Sequence, residues 1–291
     1  MNNFLHWWQN LPGQINPVVF KIGMFKVQYY GLMYVVAFAI IYYLVLYRLN
    51  HEKEFEVSLQ DIQSLTTSMI LGLILGGRLG YVVLYNFSYY LNHPLEIFLP
   101  FEFSSGITFT GISGMSYHGG VIGIIIAAWI YIRKNKLDFL LLADLYVPVI
   151  PLGYTFGRIG NFINKELYGR VTSSSMGMFF PNAPGDKLRH PSQLYEAFFE
   201  GIVLFLILWS CRRINKLRGK MLSLYLIGYG FFRFFIEFYR EPDAHLGFVF
   251  LSLSMGQILC FSMILAGVIL LYPSFHRSRS SLVLKKGIKN N

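Results

Sequence analysis

Long apolar runs recur along this chain, and nothing else in the sequence limits its fold as much. A helix crossing the roughly 30 Å hydrocarbon core of a bilayer needs about 20 mainly apolar residues. Stretches of that kind lie near 28 to 47, 62 to 85, 118 to 132, 139 to 158, 194 to 211, 221 to 238 and 255 to 272. The expectation is an all-α, polytopic membrane protein with seven transmembrane helices. Composition agrees, because 14% of the residues are charged against about 25% in ordinary soluble domains.

The formal net charge is +10. In a soluble protein that would suggest nucleic acid, but in a multi-span chain the first suspect is lysine and arginine held on the cytoplasmic side. The segments 48–60, 133–138, 212–220 and the tail after Tyr272 carry fifteen Lys and Arg, and the segments facing the other way carry seven. The positive-inside rule then places the N-terminus outside and the C-terminus, with its basic tail 273–291, in the cytoplasm. That tail can hold anionic lipid headgroups or serve only to fix topology. No nucleic-acid partner is called for.

This orientation sorts the connections. The long segments 86–117 and 159–193 become outer loops, and the inner connections are short and basic. Function is expected to face outward. No internal repeat or linker separates a second domain, so residues 1–291 are read as one transmembrane domain. The start, MNNFLHWWQNLPG, lacks the basic stretch and short apolar core of a cleavable signal.

Several chemistries lose support. Cys211 and Cys260 are the only cysteines and neither sits in a C-x-x-C pair, so no metal site or disulfide is expected. The one Gly-Lys pair, Gly219-Lys220, is followed by Met221, which rules out a phosphate-binding G-x-x-x-x-G-K-[ST] loop. H-E-x-x-H and G-x-S-x-G are also absent. No cofactor is called for.

Ionisable residues at membrane depth are costly, so they pair, face the bundle interior or serve a function. Arg78 lies among small residues in Gly76-Gly77-Arg78-Leu79-Gly80, either as a packing site with a snorkelling arginine or as part of a polar site. Asp144 sits near the inner end of the fourth expected span, where it pairs or caps. Tyr229, Arg233 and Glu237 repeat every four residues and Arg240 follows three later, so all four share a helix face. An Arg233–Glu237 pair explains part of that face. Glu196 and Glu200, four apart at the start of the fifth span, can balance the arginines. His118 precedes Gly119-Gly120 at the mouth of the third span, either as a structural histidine or where a ligand can come close. Tyr30 beside Gly31 fits an aromatic belt. Guanidinium forks match phosphate oxygens, and phospholipid phosphates lie at this depth, so the residues point to an outward-facing pocket for a lipid phosphate.

The run from Gly157 to Gly169, GRIGNFINKELYG, resembles the G-R-x-G-N-F-x-N-x-E-x-x-G motif of the prolipoprotein diacylglyceryl transferases, meeting it at Gly157, Arg158, Gly160, Asn161, Phe162, Asn164, Glu166 and Gly169. The likeness continues through Tyr30-Gly31-Leu32-Met33-Tyr34, Met115 to Gly120, His190 to Glu196, Gly228-Tyr229-Gly230 with Arg233 and Glu237, and Met255-Gly256-Gln257. The resemblance implies a bacterial inner membrane enzyme with a periplasmic site. Such an enzyme moves the diacylglyceryl group of phosphatidylglycerol to the lipobox cysteine thiol of a secreted prolipoprotein, leaving a thioether and glycerol phosphate.

By the same resemblance the site comprises Tyr30, His118, Arg158, Asn161, Glu166, Gly169, Tyr229, Arg233, Glu237 and Arg240. His118, Arg158 and Arg233 are the expected catalytic residues: His118 to assist thiol deprotonation, the arginines to hold charge gathering on phosphate. Glu166 and Glu237 are expected to hold the arginines. The rival reading is a phospholipid transporter or scramblase using the same arginines as a headgroup path.

Overall fold

A computed structural model describes residues 2–23, 25–97, 99, 101–102, 108–109, 114–241, 248–250 and 253–272. Its helices are α1 (Asn2–Gln14), α2 (Tyr29–His51), α3 (Leu59–Tyr85), α4 (Phe87–Asn92), α5 (Tyr117–Lys134), α6 (Phe139–Tyr146), α7 (Ile150–Ile163), α8 (Ser192–Glu196), α9 (Leu204–Cys211), α10 (Met221–Ile236) and α11 (Met255–Leu271). Three small antiparallel ribbons complete it: β1 (Val18–Ile22) with β2 (Phe25–Gln28), β3 (Phe101–Glu102) with β4 (Thr108–Phe109), and β5 (Phe248–Phe250) with β6 (Leu253–Ser254). The basic tail 273–291 and residues 110–113 ahead of His118 lie outside the described residues.

Each expected span falls on helix. Four segments are long and apolar enough to cross a membrane: Tyr29–His51, Leu59–Tyr85, Phe139–Ile163 and Ser192–Cys211. Met221–Ile236 and Met255–Leu271 are shorter apolar helices, and α5, 18 residues long, ends on Arg133 and Lys134. The fold is that of a helical membrane protein.

One boundary differs in a way that matters. The fourth span was expected near 139 to 158, yet α7 runs on to Ile163 and places Arg158 and Asn161 on its last turns. Gly160 lies inside the helix because it is used for contact: a Cβ there would stand 3.3 Å from the Tyr30 ring, so α2 can lie close. The break falls earlier, at a 3-10 turn over Val147–Val149, where Pro148 and Pro151 remove backbone donors. The loop that follows α7 therefore begins at Asn164.

The chain divides into two compact units. In the unit Glu52–Phe139, α3 and α5 pack through small residues. Gly72, Gly76 and Gly80 are four apart and share one face of α3. A Cβ on Gly76 would stand 2.7 Å from Gly123 Cα, and one on Gly80 2.7 Å from Gly119 Cα. In lipid, where burial of apolar surface drives nothing, such backbone approach supplies the attraction between helices. Ser58 and Ser116 cap the two helices, accepting from Asp61 N at 3.0 Å and Gly119 N at 3.2 Å.

In the remaining unit, one end is fixed by polar bonds. Arg48, 1% exposed, donates through Nη1 to the carbonyls of Asp144 and Leu145, each at 2.6 Å. The Asp144 carboxylate accepts from the backbone N–H groups of Gly219 and of Met221, the latter at 3.2 Å. It thus caps α10, whose own N-cap residue, Lys220, makes no side-chain cap bond. Elsewhere in the unit, α1 turns Trp8 and Leu11 onto Phe162, Met178 and Phe180, where Ile15, just after the helix, joins them. Trp8 Nε1 donates to the Met176 carbonyl at 3.1 Å, so α1 braces the loop after α7.

Candidate active site

A single carboxylate organises the site. Glu196, at the end of α8, is fully buried and receives three guanidinium groups: Arg158 Nε at 3.0 Å, Arg233 Nη1 at 3.0 Å and Arg240 Nη1 at 2.9 Å. Charge-assisted bonds of this length are about twice as strong as neutral ones. Removing one partner from a buried set leaves an uncompensated charge that costs about 3–5 kcal/mol. A seven-residue π-helical segment, Ala197–Val203, follows Glu196 directly and carries Glu200, which is also buried. Such segments recur at functional sites. Gly201 within it leaves room for Thr155, whose hydroxyl donates to the Ala197 carbonyl at 3.3 Å.

The arginines are then steered by further bonds. Arg158 Nη1 donates to Asn161 Oδ1 at 3.2 Å, and Asn161 Nδ2 donates to Glu166 Oε1 at 2.8 Å. Glu166 was expected to hold an arginine; its bond runs to Asn161, which relays the constraint to Arg158. The Arg158 guanidinium also lies over the Tyr154 ring, 4.7 Å from its centroid. Tyr154 places its hydroxyl 3.1 Å from Glu196 Oε2 and 2.5 Å from Glu200 Oε2. Glu237 does hold arginines, with Oε2 at 3.3 Å from Arg233 Nη2 and 3.4 Å from Arg240 Nε.

The resembling motifs outside α7 gain physical reasons. Ser254 Oγ donates to Glu237 Oε1 at 3.1 Å and forms a capping box with Gln257 at the start of α11. A Cβ on Gly256 would stand 2.6 Å from Glu237 Oε1, so only glycine lets the carboxylate lie against that turn. Ser192 Oγ donates to the Leu167 carbonyl at 3.1 Å and Gln193 Nε2 to the Glu166 carbonyl at 2.6 Å. These bonds hold a turn in which Lys165 and Leu167 take positive φ, 60° and 57°, strain of about 1–3 kcal/mol each that the surroundings must offset.

Gly169 reads as a positioning glycine: it bridges to Arg240, and its N–H donates to the His190 carbonyl at 2.8 Å, where a Cβ would collide with that same oxygen. Arg170 Nε donates to the Arg240 carbonyl at 2.6 Å, so this loop fixes the backbone of Arg240. His190 lies 5.0 Å from the Tyr239 ring and 3.3 Å from the Tyr195 hydroxyl, and burial pushes its imidazole below the usual value.

Hydrogen bonds and ion pairs thus join Arg158, Asn161, Glu166, Arg233, Glu237 and Arg240 through Glu196. Tyr30 packs against Gly160 and meets Tyr34 hydroxyl to hydroxyl at 3.1 Å. Tyr229 sets its ring edge on Tyr154, with 5.9 Å between centroids. His118 belongs to the other unit, exposed in the first turn of α5. Arg78, in that same unit, donates to the carbonyls of Ile97 at 2.7 Å, Glu96 at 2.5 Å and Gly114 at 3.3 Å, and so ties down the segment after α3. Glu196 was expected only to balance charge, and Tyr154 was not among the expected site residues. The signal for Tyr154 was available, since it stands four residues before Arg158 and shares its helix face.

Fold and site together define a helical membrane protein with a guanidinium cluster held by carboxylates, the kind of site that takes an anionic headgroup. The family model described as prolipoprotein diacylglyceryl transferase matches residues 17–273. Proteins named phosphatidylglycerol--prolipoprotein diacylglyceryl transferase are similar over nearly their whole length. The one from Chlorobaculum tepidum is 54% identical over 289 residues, 99% of each chain. That from Rickettsia bellii is 45% identical over 91% of this chain and 97% of its own, and that from Helicobacter pylori strain Shi470 is 44% identical over 92% and 95%. This chain belongs to the prolipoprotein diacylglyceryl transferase family.

Proposed function

We propose that this chain transfers the diacylglyceryl group of phosphatidylglycerol to the lipobox cysteine thiol of secreted prolipoproteins, releasing glycerol phosphate. Family membership supports the reaction. The observation in this chain that carries it is the convergence of Arg158, Arg233 and Arg240 on the buried carboxylate of Glu196. We place the enzyme in the bacterial inner membrane as one domain of seven spans, with its N-terminus and the loops 86–117 and 159–193 periplasmic and its C-terminus cytoplasmic.

The chemistry follows from the charges. A free thiol has a pKa near 8.5, so little thiolate is present at neutral pH. His118, exposed at the start of α5, is our choice of base, imidazole being the side chain most often used to move a proton in catalysis. The thiolate attacks the glyceryl carbon bonded to the phosphate oxygen, and as that C–O bond breaks a phosphodiester monoanion becomes a monoester with added negative charge. Arginines beside it gain interaction in the transition state and not merely on binding. Arg158 and Arg233 take that role. Tyr30, Asn161, Glu166, Gly169, Tyr229, Glu237 and Arg240 shape the headgroup site, some by touching lipid and others, such as Gly169, by holding those that do.

Purified protein incubated with phosphatidylglycerol and a lipobox peptide should yield thioether-linked peptide and glycerol phosphate. Lipid movement across vesicles with no new bond would overturn this in favour of a transporter or scramblase.

A further inference from the structure

Arg240 differs from the other two arginines on Glu196 in how its backbone is held. Arg158 and Arg233 lie inside α7 and α10, where the helical ladder sets their direction. α10 ends at Ile236, so Arg240 stands beyond it. Its place comes from a short run of cross-chain pairs instead. Gly169 bridges to Arg240, the Arg170 N–H donates to the Tyr239 carbonyl at 2.9 Å, and Arg189 bridges in turn to Val171 and Met178. The segment 169–171 thus lies between Arg189 and Arg240.

Arg189 reaches across that segment. A guanidinium Nη carries two N–H groups, and Arg189 Nη1 donates to the Gly169 carbonyl at 3.3 Å and to Glu241 Oε2 at 2.8 Å. One nitrogen therefore ties the residue after Arg240 to the residue that bridges to Arg240. Arg189 is a firm anchor for this. Its side chain is 6% exposed and lies over the Tyr168 ring, 5.0 Å from the centroid, and its backbone exchanges two bonds of 2.9 Å with Met178. Glu241 is the opposite case, with a side chain 50% exposed. An ion pair to so exposed a partner contributes little stability. A displacement of about 1 Å in a group that positions substrate, by contrast, can cost about a hundredfold in rate.

We propose that Arg189 is a positioning residue for Arg240: through Glu241 and Gly169 it fixes the segment that carries Arg240, and so holds the Arg240 guanidinium at Glu196 and Glu237. Arg189 acts through Arg240 and not on the lipid. Its effect on transfer rests on the proposed function; its hold on the Arg240 segment does not.

Glu241→Ala in the full-length protein is the sharpest test, since it opens the clamp from its exposed side and leaves Arg189 buried. The variant should melt like the wild type yet lose roughly tenfold in kcat/KM for phosphatidylglycerol, a fraction of the cost of a 1 Å displacement. Arg189→Gln should lose as much, Arg189→Lys should recover most of it by keeping a charge for Glu241, and Arg189→Gln with Glu241→Ala should lose no more than either alone. An unchanged rate in Glu241→Ala, or losses that multiply, would overturn the proposal. Affinity for short-chain phosphatidylglycerol tests the route: Glu241→Ala should weaken it in the wild-type background and leave it unchanged in Arg240→Ala, and equal weakening in both would mean that Arg240 is not the group positioned. Amide hydrogen exchange reads the clamp without turnover. The Arg170 N–H, bonded to the Tyr239 carbonyl, should exchange several-fold faster in Glu241→Ala than in the wild type. Equal exchange overturns the hold on the segment, whereas absence of thioether product from the wild type tells against the proposed function alone.

Discussion

The cluster on α7, α8 and α10 and the glycine-lined pair of α3 and α5 are both tight helix contacts, yet they come from opposite ends of the side-chain size range. In the first, long charged side chains cross the gap and meet at Glu196. In the second, Gly72, Gly76, Gly80, Gly119 and Gly123 let the backbones touch. Lipid offers helices no hydrophobic reason to associate, so each pair must find another. Charge pairing fixes side-chain direction and leaves guanidinium groups available to a ligand; backbone contact fixes distance and leaves nothing to react. The contrast teaches which contact is spared for function and which serves only to hold.

The largest effect should come from Glu196→Ala, which leaves Arg158, Arg233 and Arg240 without their shared carboxylate. We expect a loss of about 3–5 kcal/mol of stability, read as a lower unfolding midpoint in detergent, and no product. A variant that melts like the wild type would break the comparison, because the arginines would then have other partners. Arg158→Lys keeps the charge but loses the fork that spans Glu196 and Asn161. Its transfer rate should fall about a hundredfold, ~3 kcal/mol of barrier, with little change in melting. Equal losses in rate and stability would make Arg158 a strut.

Gly76→Val tests the other side. Its Cβ would press on Gly123 Cα, and overpacking of this kind costs about 1–3 kcal/mol. Melting should drop while the rate per folded molecule holds; a slower folded enzyme would show that the pair does more than hold. Smallest is Ser254→Ala, which loses a helix cap and a bond to Glu237. About 1 kcal/mol of stability and a less than tenfold fall in rate are expected, and a collapse of activity would mean that Glu237 orients the arginines more tightly than its 3.3–3.4 Å contacts imply.

Much of this was legible in the sequence. Apolar runs located the helices, because hydrocarbon demands length and little else. The four-residue spacing of Tyr229, Arg233 and Glu237 placed them on one face, and Arg233 and Glu237 do pair. Asp144 was read as a pairing or capping residue and caps α10. What escaped was long-range. The end of α7 was misplaced because glycine in a helix can mean a break or a close neighbour, and only the presence of Tyr30 beside Gly160 decides. Glu196 could be suspected as a counter-charge, but its three partners come from α7, α10 and the residues after α10, and no spacing reveals such a meeting. That Glu166 acts on Arg158 through Asn161 was hidden for the same reason.

Arg48 sets a timetable for biogenesis. Its guanidinium bonds carbonyls 96 and 97 residues further along the chain, and the Asp144 cap waits a further 75 residues for Gly219. At synthesis rates of about 5–20 residues per second, the arginine exists for roughly 5–20 s before its acceptors do. Through that interval the second helix must reside in the insertion machinery or the bilayer before these carbonyls are made. Completion of this lock therefore marks the moment at which segments made early and late in translation become one assembled structure.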